Sequence, residues 1–267
     1  MDDVCIENHP ESCGAFVPLN NQKPLMTGFL SSFWRWLTPL LSLLASGCAS
    51  VPDADRDPQD PWEPLNRALF RLNDDIDGAF VRPLSRAYKT VVPQPLDRGI
   101  TNFFANIQDI NSAANNLLQF KLHHTVRNLE RFVVNTTVGV LGFMDVASNL
   151  DIMSYREDFG QTLGRWGVAP GPYLMLPLLG PSSVRDSIGM GVDFYALNPI
   201  VWATDNHVLL WGLNGLWYLD YRADSQNAVN IFENAALDRY RFVRDAYFQK
   251  RRHVVSDGEQ DFHESAL

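Results

Sequence analysis

Over residues 97–120 the apolar side chains Ile100, Phe103, Phe104, Ile107, Ile110, Ala114, Leu117 and Leu118 recur at spacings of three and four. That period places them on one stripe of an amphipathic helix. The opposite face carries Asn102, Asn106, Asp109, Asn111, Asn115 and Asn116, so it is mostly neutral amide instead of the usual Lys/Glu mixture. A second helix is predicted from about His124 to Val140, with Val126, Leu129, Phe132, Val133 and Val140 on one face. A third runs from about Ser225 to Arg252 through Val229, Phe232, Ala236, Tyr240, Val243 and Tyr247. It closes on Lys250, Arg251 and Arg252, cations that suit the negative end of a helix dipole.

Between these helices the pattern changes. Residues 159–173, FGQTLGRWGVAPGPY, contain Gly160, Gly164, Gly167 and Gly171 and two prolines, and 173–180, YLMLPLLG, is apolar but cut by Pro177. Such glycines serve either as hinges or as tight turns with positive φ, and the spacing alone does not choose. Ser183 and Asp186 offer a capping box for a new helix. Residues 198–221 are apolar and aromatic, with Trp202, Trp211, Trp217 and Tyr218. No stretch after Cys48 has the roughly eighteen uninterrupted apolar residues of a membrane-spanning helix. Alternating strand patterns are few and no internal repeat is visible. The predicted fold class is therefore all-α.

The amino terminus has its own pattern. Arg35 precedes an apolar run from Trp36 to Leu44, and Ala45, Ser46 and Gly47 lead to Cys48. This reads as a signal peptide over 26–47. Small residues before a single Cys resemble a bacterial lipobox, in which the thiol receives diacylglycerol and the processed amine an acyl chain. Ala45 stands where that pattern usually has Leu. Ala49, not Asp, follows Cys48. Asp2, Asp3, Glu7 and Glu11 oppose a cationic n-region, so translation is expected to start at Met26. Residues 1–25 are then a mis-called or disordered leader. Residues 48–61 are the lipidated Cys and a Pro/Asp-rich tether. The body is expected over 62–252, with a polar, disordered tail over 253–267.

Composition narrows the function. A net charge of −9 argues against nucleic acid, and against docking on anionic lipid by basic clusters. All three cysteines, Cys5, Cys13 and Cys48, lie in the first 48 residues, so the body can build neither a disulfide framework nor a Cys-based zinc site. A lipid hydrolase would need a nucleophile elbow, and the nearest run, Gly180-Pro181-Ser182-Ser183-Val184, lacks the final glycine. His123, His124 and His207 have no metal-spaced partners. Asp74, Asp75 and Asp77 start like a calcium loop that does not continue. Asn135-Thr136-Thr137 fits a glycosylation pattern of little meaning in a bacterial lipoprotein. No catalytic residue, metal or cofactor is expected beyond the lipid on Cys48. An apolar helix face can lie in one leaflet, amides opposite it could line a wet path, and Trp and Tyr prefer headgroup depth.

Several blocks then resemble one family. DPWEPLNRALFRLN (60–73), VRPLSRAYKTVVPQPLDRGITNFFAN (81–106), RFVVNTTVGVLGFMDVA (131–147), FGQTLGRWGVAPGPYLMLPLLGPSSVRD (159–186) and RDAYFQKRR (244–252) are similar to the MlaA/VacJ lipoproteins. The resemblance covers about 60–252 in order, less sharply over 198–221. It implies a mostly helical ring of amphipathic helices, embedded in the inner leaflet of the outer membrane around a central amphipathic channel. It implies a non-enzymatic function: removing mislocalised phospholipid from the outer leaflet and maintaining lipid asymmetry. The implied partners are phospholipid, trimeric porins of the OmpC/OmpF type and the periplasmic carrier MlaC. The lipidated residue corresponds to Cys48, and a hairpin beside the channel to Gly164, Gly167, Gly171 and Tyr173. Asn102, Asn106, Asn115 and Asn116 are the candidate channel-lining residues. The alternative is a scaffolding envelope lipoprotein that passes no lipid.

Overall fold

A computed structural model describes residues 57–226 and 237–258. Cys48, the signal peptide and most of the tether lie outside the described residues, as do Val229, Phe232 and Ala236 of the third predicted helix. The described elements are α1 (Glu63–Ile76), α2 (Arg82–Val91), α3 (Gln94–Leu118), α4 (Leu122–Thr137), α5 (Val146–Asn149), α6 (Phe159–Arg165), β1 (Tyr173–Leu176), β2 (Gly180–Ser183), α7 (Val184–Tyr195), α8 (Pro199–Ala203), α9 (His207–Asp224) and α10 (Arg239–Val255).

Chain chemistry sets the boundaries. α1 passes into α2 through a wide π turn over Asp77–Val81, where the Arg82 amide reaches back five residues to the Asp77 carbonyl. Pro83 accounts for it: proline has no amide proton, and its ring crowds the carbonyl four residues earlier, so the preceding turn widens. Pro95 sits in the first turn of α3, where no intrahelical donor is lost. α4 begins two residues earlier than the apolar pattern suggested and stops at Thr137, because Val140 and Leu141 take positive φ. The segment expected to start near Ser225 is not one helix from there. α9 ends at Asp224, and Asp238 caps a new helix by accepting from the Arg241 amide. That helix runs on to Val255, past the expected start of the tail; residues 259–267 lie outside the described residues. Ser183 caps α7 by accepting from the Asp186 amide at 3.2 Å.

β1 and β2 form an antiparallel hairpin, Tyr173 opposite Ser183 and Leu176 opposite Gly180. Pro177, read in sequence as an interruption, lies in its turn, beside Leu178 at φ 64°. The outer edge of β1 is closed by helix side chains. Asn66 of α1 accepts from the Met175 amide at 2.9 Å and donates to the Tyr173 carbonyl at 3.1 Å. Asn73, two turns on, accepts from the Leu178 amide at 2.8 Å and donates to the Leu176 carbonyl at 2.9 Å. An amide side chain reproduces what a neighbouring strand would supply, and so protects the edge. Tyr173, Met175, Tyr240 and Phe248 form the buried apolar cluster between hairpin and α10, flanked by Leu69, Phe70, Val243 and Tyr247.

Candidate functional site: a polar interior under an apolar surface

α4 shows the organising feature. Its buried residues are Thr125, Asn128, Arg131 and Asn135, while Leu122, Val126, Leu129 and Val133 are 45–63% exposed. Both sets follow the helical period, on opposite faces. A helix in a water-surrounded protein turns its apolar stripe inward; this one turns it outward. α3 does the same at its C-terminal end, where Ser112, Asn115 and Asn116 are fully buried and Leu117 and Leu118 are exposed. On α9, Val208, Leu209, Trp211, Trp217 and Tyr221 are exposed while Asp220 is buried. No helix among the described residues is long and apolar enough to cross a membrane.

A buried polar group must be hydrogen-bonded or it is costly, and the interior is built accordingly. Arg131 lies between α3 and the loop after α4. It contacts Asp109 at 3.3 Å and Asp145 at 3.0 Å, and donates to the Ser148 hydroxyl at 3.1 Å. Burial pushes the Asp109 carboxyl above its ordinary range despite Arg131 and Ser154. Asp145 is also penalised by burial, but the Ser148 hydrogen bonds and the Arg131 charge overcome this and hold it below the usual value. Asn128 pairs at two points with the backbone of Tyr155, donating at 2.7 Å and accepting at 2.9 Å.

The four amides predicted on α3 occupy distinct places. Asn102, half-buried, donates to the Phe143 carbonyl at 3.1 Å. Asn106 is buried and donates to the Thr136 hydroxyl of α4 at 2.9 Å, leaving its own oxygen without a partner. Asn115 donates to Asp193 of α7 at 3.0 Å and accepts from the Thr162 hydroxyl of α6 at 2.9 Å. Asn116 donates to the carbonyls of Ser112 and Tyr155 at 2.9 and 3.0 Å. The amide face thus turns inward, and its hydrogen bonds join α3 to the segments around it.

The glycine segment resolves into parts. Gly164 is inside α6, where an added Cβ would lie 2.8 Å from Val255 and 2.9 Å from the Arg185 guanidinium. Gly167 and Gly171 have φ of 89° and 69°, the left-handed region that favours glycine. Gly167 lies in the turn that follows α6, and Gly171 in the approach to β1. Tyr173 begins β1, fully buried among Tyr240, Tyr247 and Phe248, with its hydroxyl lacking a partner. Only Tyr173 of the four belongs to the strand hairpin.

The catalytic candidates are in structural use. Ser183 is the α7 cap, and Ser182 pairs with the Ser187 hydroxyl at 3.0 Å. Asp74 pairs with Arg239 and Asp77 with Arg222. His124 stacks on the Tyr155 ring with centroids 3.8 Å apart. No group of three or more metal-ligating side chains occurs among the described residues. The buried charges Asp109 and Arg131 and the half-buried Asp193 and Arg251 were absent from the sequence-based site. For Arg131 a signal existed: it continues the Thr125–Asn128–Asn135 stripe.

A family model described as MlaA lipoprotein matches residues 58–254. The intermembrane phospholipid transport system lipoprotein MlaA of Escherichia coli (strain K12) is 34% identical over 222 residues, 81% of this chain and 86% of that protein. An uncharacterised protein of Rickettsia prowazekii (strain Madrid E) is 38% identical over 166 residues, 62% of this chain. The chain spans 63% of that relative's length. A solved structure reported under the words "Structural basis for maintenance of bacterial outer membrane lipid asymmetry" is 31% identical with a TM-score of 0.65, covering 75% of this chain and all of that one.

Proposed function

Because the chain belongs to the MlaA lipoprotein family, we propose that it is an outer-membrane lipoprotein, anchored in the periplasmic leaflet through Cys48, that moves phospholipid out of the outer leaflet. The observation that carries this reading is the inverted helix α4, with leucine and valine outside and Thr125, Asn128, Arg131 and Asn135 inside. Apolar side chains facing hydrocarbon lose nothing, while polar groups kept together inside avoid it. In this reading amphipathic helices ring a central path. Headgroups pass along its polar wall, with Asn102, Asn106, Asn115 and Asn116 on that side and the segment from Gly164 to Tyr173 at its flank. The barrier that is lowered is the transfer of a polar headgroup through an apolar layer. No chemical step is needed, and direction comes from the acceptor. Trimeric porins of the OmpC/OmpF type and a soluble carrier of the MlaC type are the proposed partners.

The test is in cells. Deleting the gene should raise surface-accessible phospholipid, measured by labelling with a membrane-impermeant amine reagent, and the wild-type chain should restore it. A scaffolding lipoprotein would instead leave lipid asymmetry unchanged on deletion while altering envelope assemblies; that outcome would sink the transport reading.

A further inference from the structure

A cavity of about 270 Å³ opens where the glycine segment meets α7 and α10, and Arg185, Arg251 and Arg252 line it. Two of the three arginines are fixed from behind. Arg251 donates to Asp158 at 2.6 and 2.9 Å and to Asp186 at 2.9 Å. Arg185, nearly buried, donates to Asp186 at 2.9 Å and to the Val168 carbonyl at 3.3 Å. Neither carboxylate lines the cavity, so the charged residues among its lining are all arginines. Arg252 sits exposed, and among the described residues it forms no ion pair. In a chain of net charge −9, three arginines around one cavity form a local reversal of sign.

The remaining wall is apolar, from Val168, Pro170, Phe248 and Val255. Gly164 keeps the space open, since a Cβ there would press on Val255 and Arg185. The volume falls below the roughly 300–1,000 Å³ of pockets that enclose a drug-sized molecule. It suits a headgroup-sized anion rather than acyl chains. Guanidinium forks match the oxygens of phosphate in geometry as well as charge. We infer that this cavity binds the phosphate of a phosphate ester, carried either by a phospholipid headgroup or by a small soluble ester. Binding of this kind needs only the cavity and its arginines, and does not require lipid transport.

The test uses the full chain in a phosphate-free maltoside detergent at low ionic strength, titrated calorimetrically with two probes. The probes are inorganic phosphate and dihexanoyl phosphatidylglycerol below its micelle concentration. Both should saturate one site, and Arg252→Glu should weaken both by about tenfold or more while the melting temperature holds. Among the described residues Arg252 takes no part in the ion-pair network, so this variant separates binding from folding. Tighter binding of the lipid probe, with that preference lost in the cavity-filling Val168→Trp variant, assigns the site to lipid headgroups. Equal binding of the two probes, weakened alike by Val168→Trp, assigns it to soluble phosphate esters, whereas binding of either probe untouched by Val168→Trp places the phosphate outside the cavity and overturns the inference. If neither probe saturates, or Arg252→Glu binds as the wild type does, the cavity is only a by-product of the surrounding ion pairs and the inference is overturned.

Discussion

Asn115 of α3 donates its side-chain amide to the carboxylate of Asp193 of α7 at 3.0 Å. Asn115 is fully buried, and burial pushes the Asp193 carboxyl above its ordinary range, although the Phe159 amide and Asn115 both donate to it. Asn115→Leu would remove a donor from the half-buried Asp193 carboxylate and an acceptor from the Thr162 hydroxyl, which keeps only its contacts to Gln119 and the Asp158 carbonyl. Leaving buried polar groups unsatisfied costs about 1–3 kcal/mol. The expected outcome is a lower melting temperature in detergent, with lipid transfer falling only as far as folded protein is lost. Transfer that collapses at unchanged melting temperature would instead mark Asn115 as a contact of the moving headgroup.

The glycines separate by conformation. Gly167→Ala and Gly171→Ala should each destabilise by about 1 kcal/mol or more, because alanine resists positive φ. Gly167 has open space around it, so its cost is conformational; Gly164 has an ordinary φ, and alanine there meets Val255 and Arg185. Thermal melts of the three variants, read beside outer-leaflet phospholipid in cells, separate turns from hinges. A hinge at Gly167 would require lost lipid asymmetry with unchanged stability.

The helical period of α3 was legible in sequence, because three-and-four spacing is a local property of the chain. So was the separation of its amide face from its apolar face. Which face turned inward was not fixed by the spacing, since period alone does not name the solvent. The partners of the amides were also illegible. Asn115 meets Asp193 at a separation of 78 residues, and Asn66 meets Tyr173 at 107. The hairpin was hidden for a different reason. Its β1 edge is completed by Asn66 and Asn73 of a helix, so no third alternating strand marks it. The break before Arg239 had a local signal, the capping Asp238, beneath a periodicity that ran through it.

The outer face of α4 offers a direct test of its surroundings. Val126 and Val133 are exposed, so Val126→Lys with Val133→Lys should leave the melting temperature in detergent nearly unchanged. In a bilayer each charge on an apolar helix face costs on the order of 2–3 kcal/mol. Binding to liposomes of the chain from residue 57 onward, which lacks both the signal peptide and Cys48, should therefore drop when the two lysines are added. Equal binding with and without them would show that this face meets water or a protein.

Cys48 itself lies outside the described residues, and its role rests on the Ala45-Ser46-Gly47-Cys48 run. Cys48→Ser should abolish acylation, seen as loss of label from a clickable fatty acid, and leave an unprocessed precursor. A shortened chain starting at Met26 should be acylated and sorted like the full chain. Label retained by Cys48→Ser would place the anchor elsewhere.

The pH response of the Asp158–Arg251–Asp186 cluster has a defined sign. Burial pushes both carboxyls up, but hydrogen bonds and charge from Arg251, joined at Asp186 by Arg185, outweigh it and hold both below the usual range. An acid with a depressed folded value contributes stability that is complete above its unfolded value near ~3.9 and is lost as pH falls through the folded one. Asp109, Asp193 and Asp220 are pushed up by burial, so their contributions run the opposite way and mask the effect in a plain melting curve. The useful quantity is the difference in melting temperature between wild type and Arg251→Met. At pH 7 the variant should melt lower, because two carboxylates lose their common partner. From about pH 4 downward the gap should close, as protonated carboxyls no longer need the guanidinium. A gap that stays constant to pH 3 would mean that Arg251 stabilises by packing against its neighbours and not by charge.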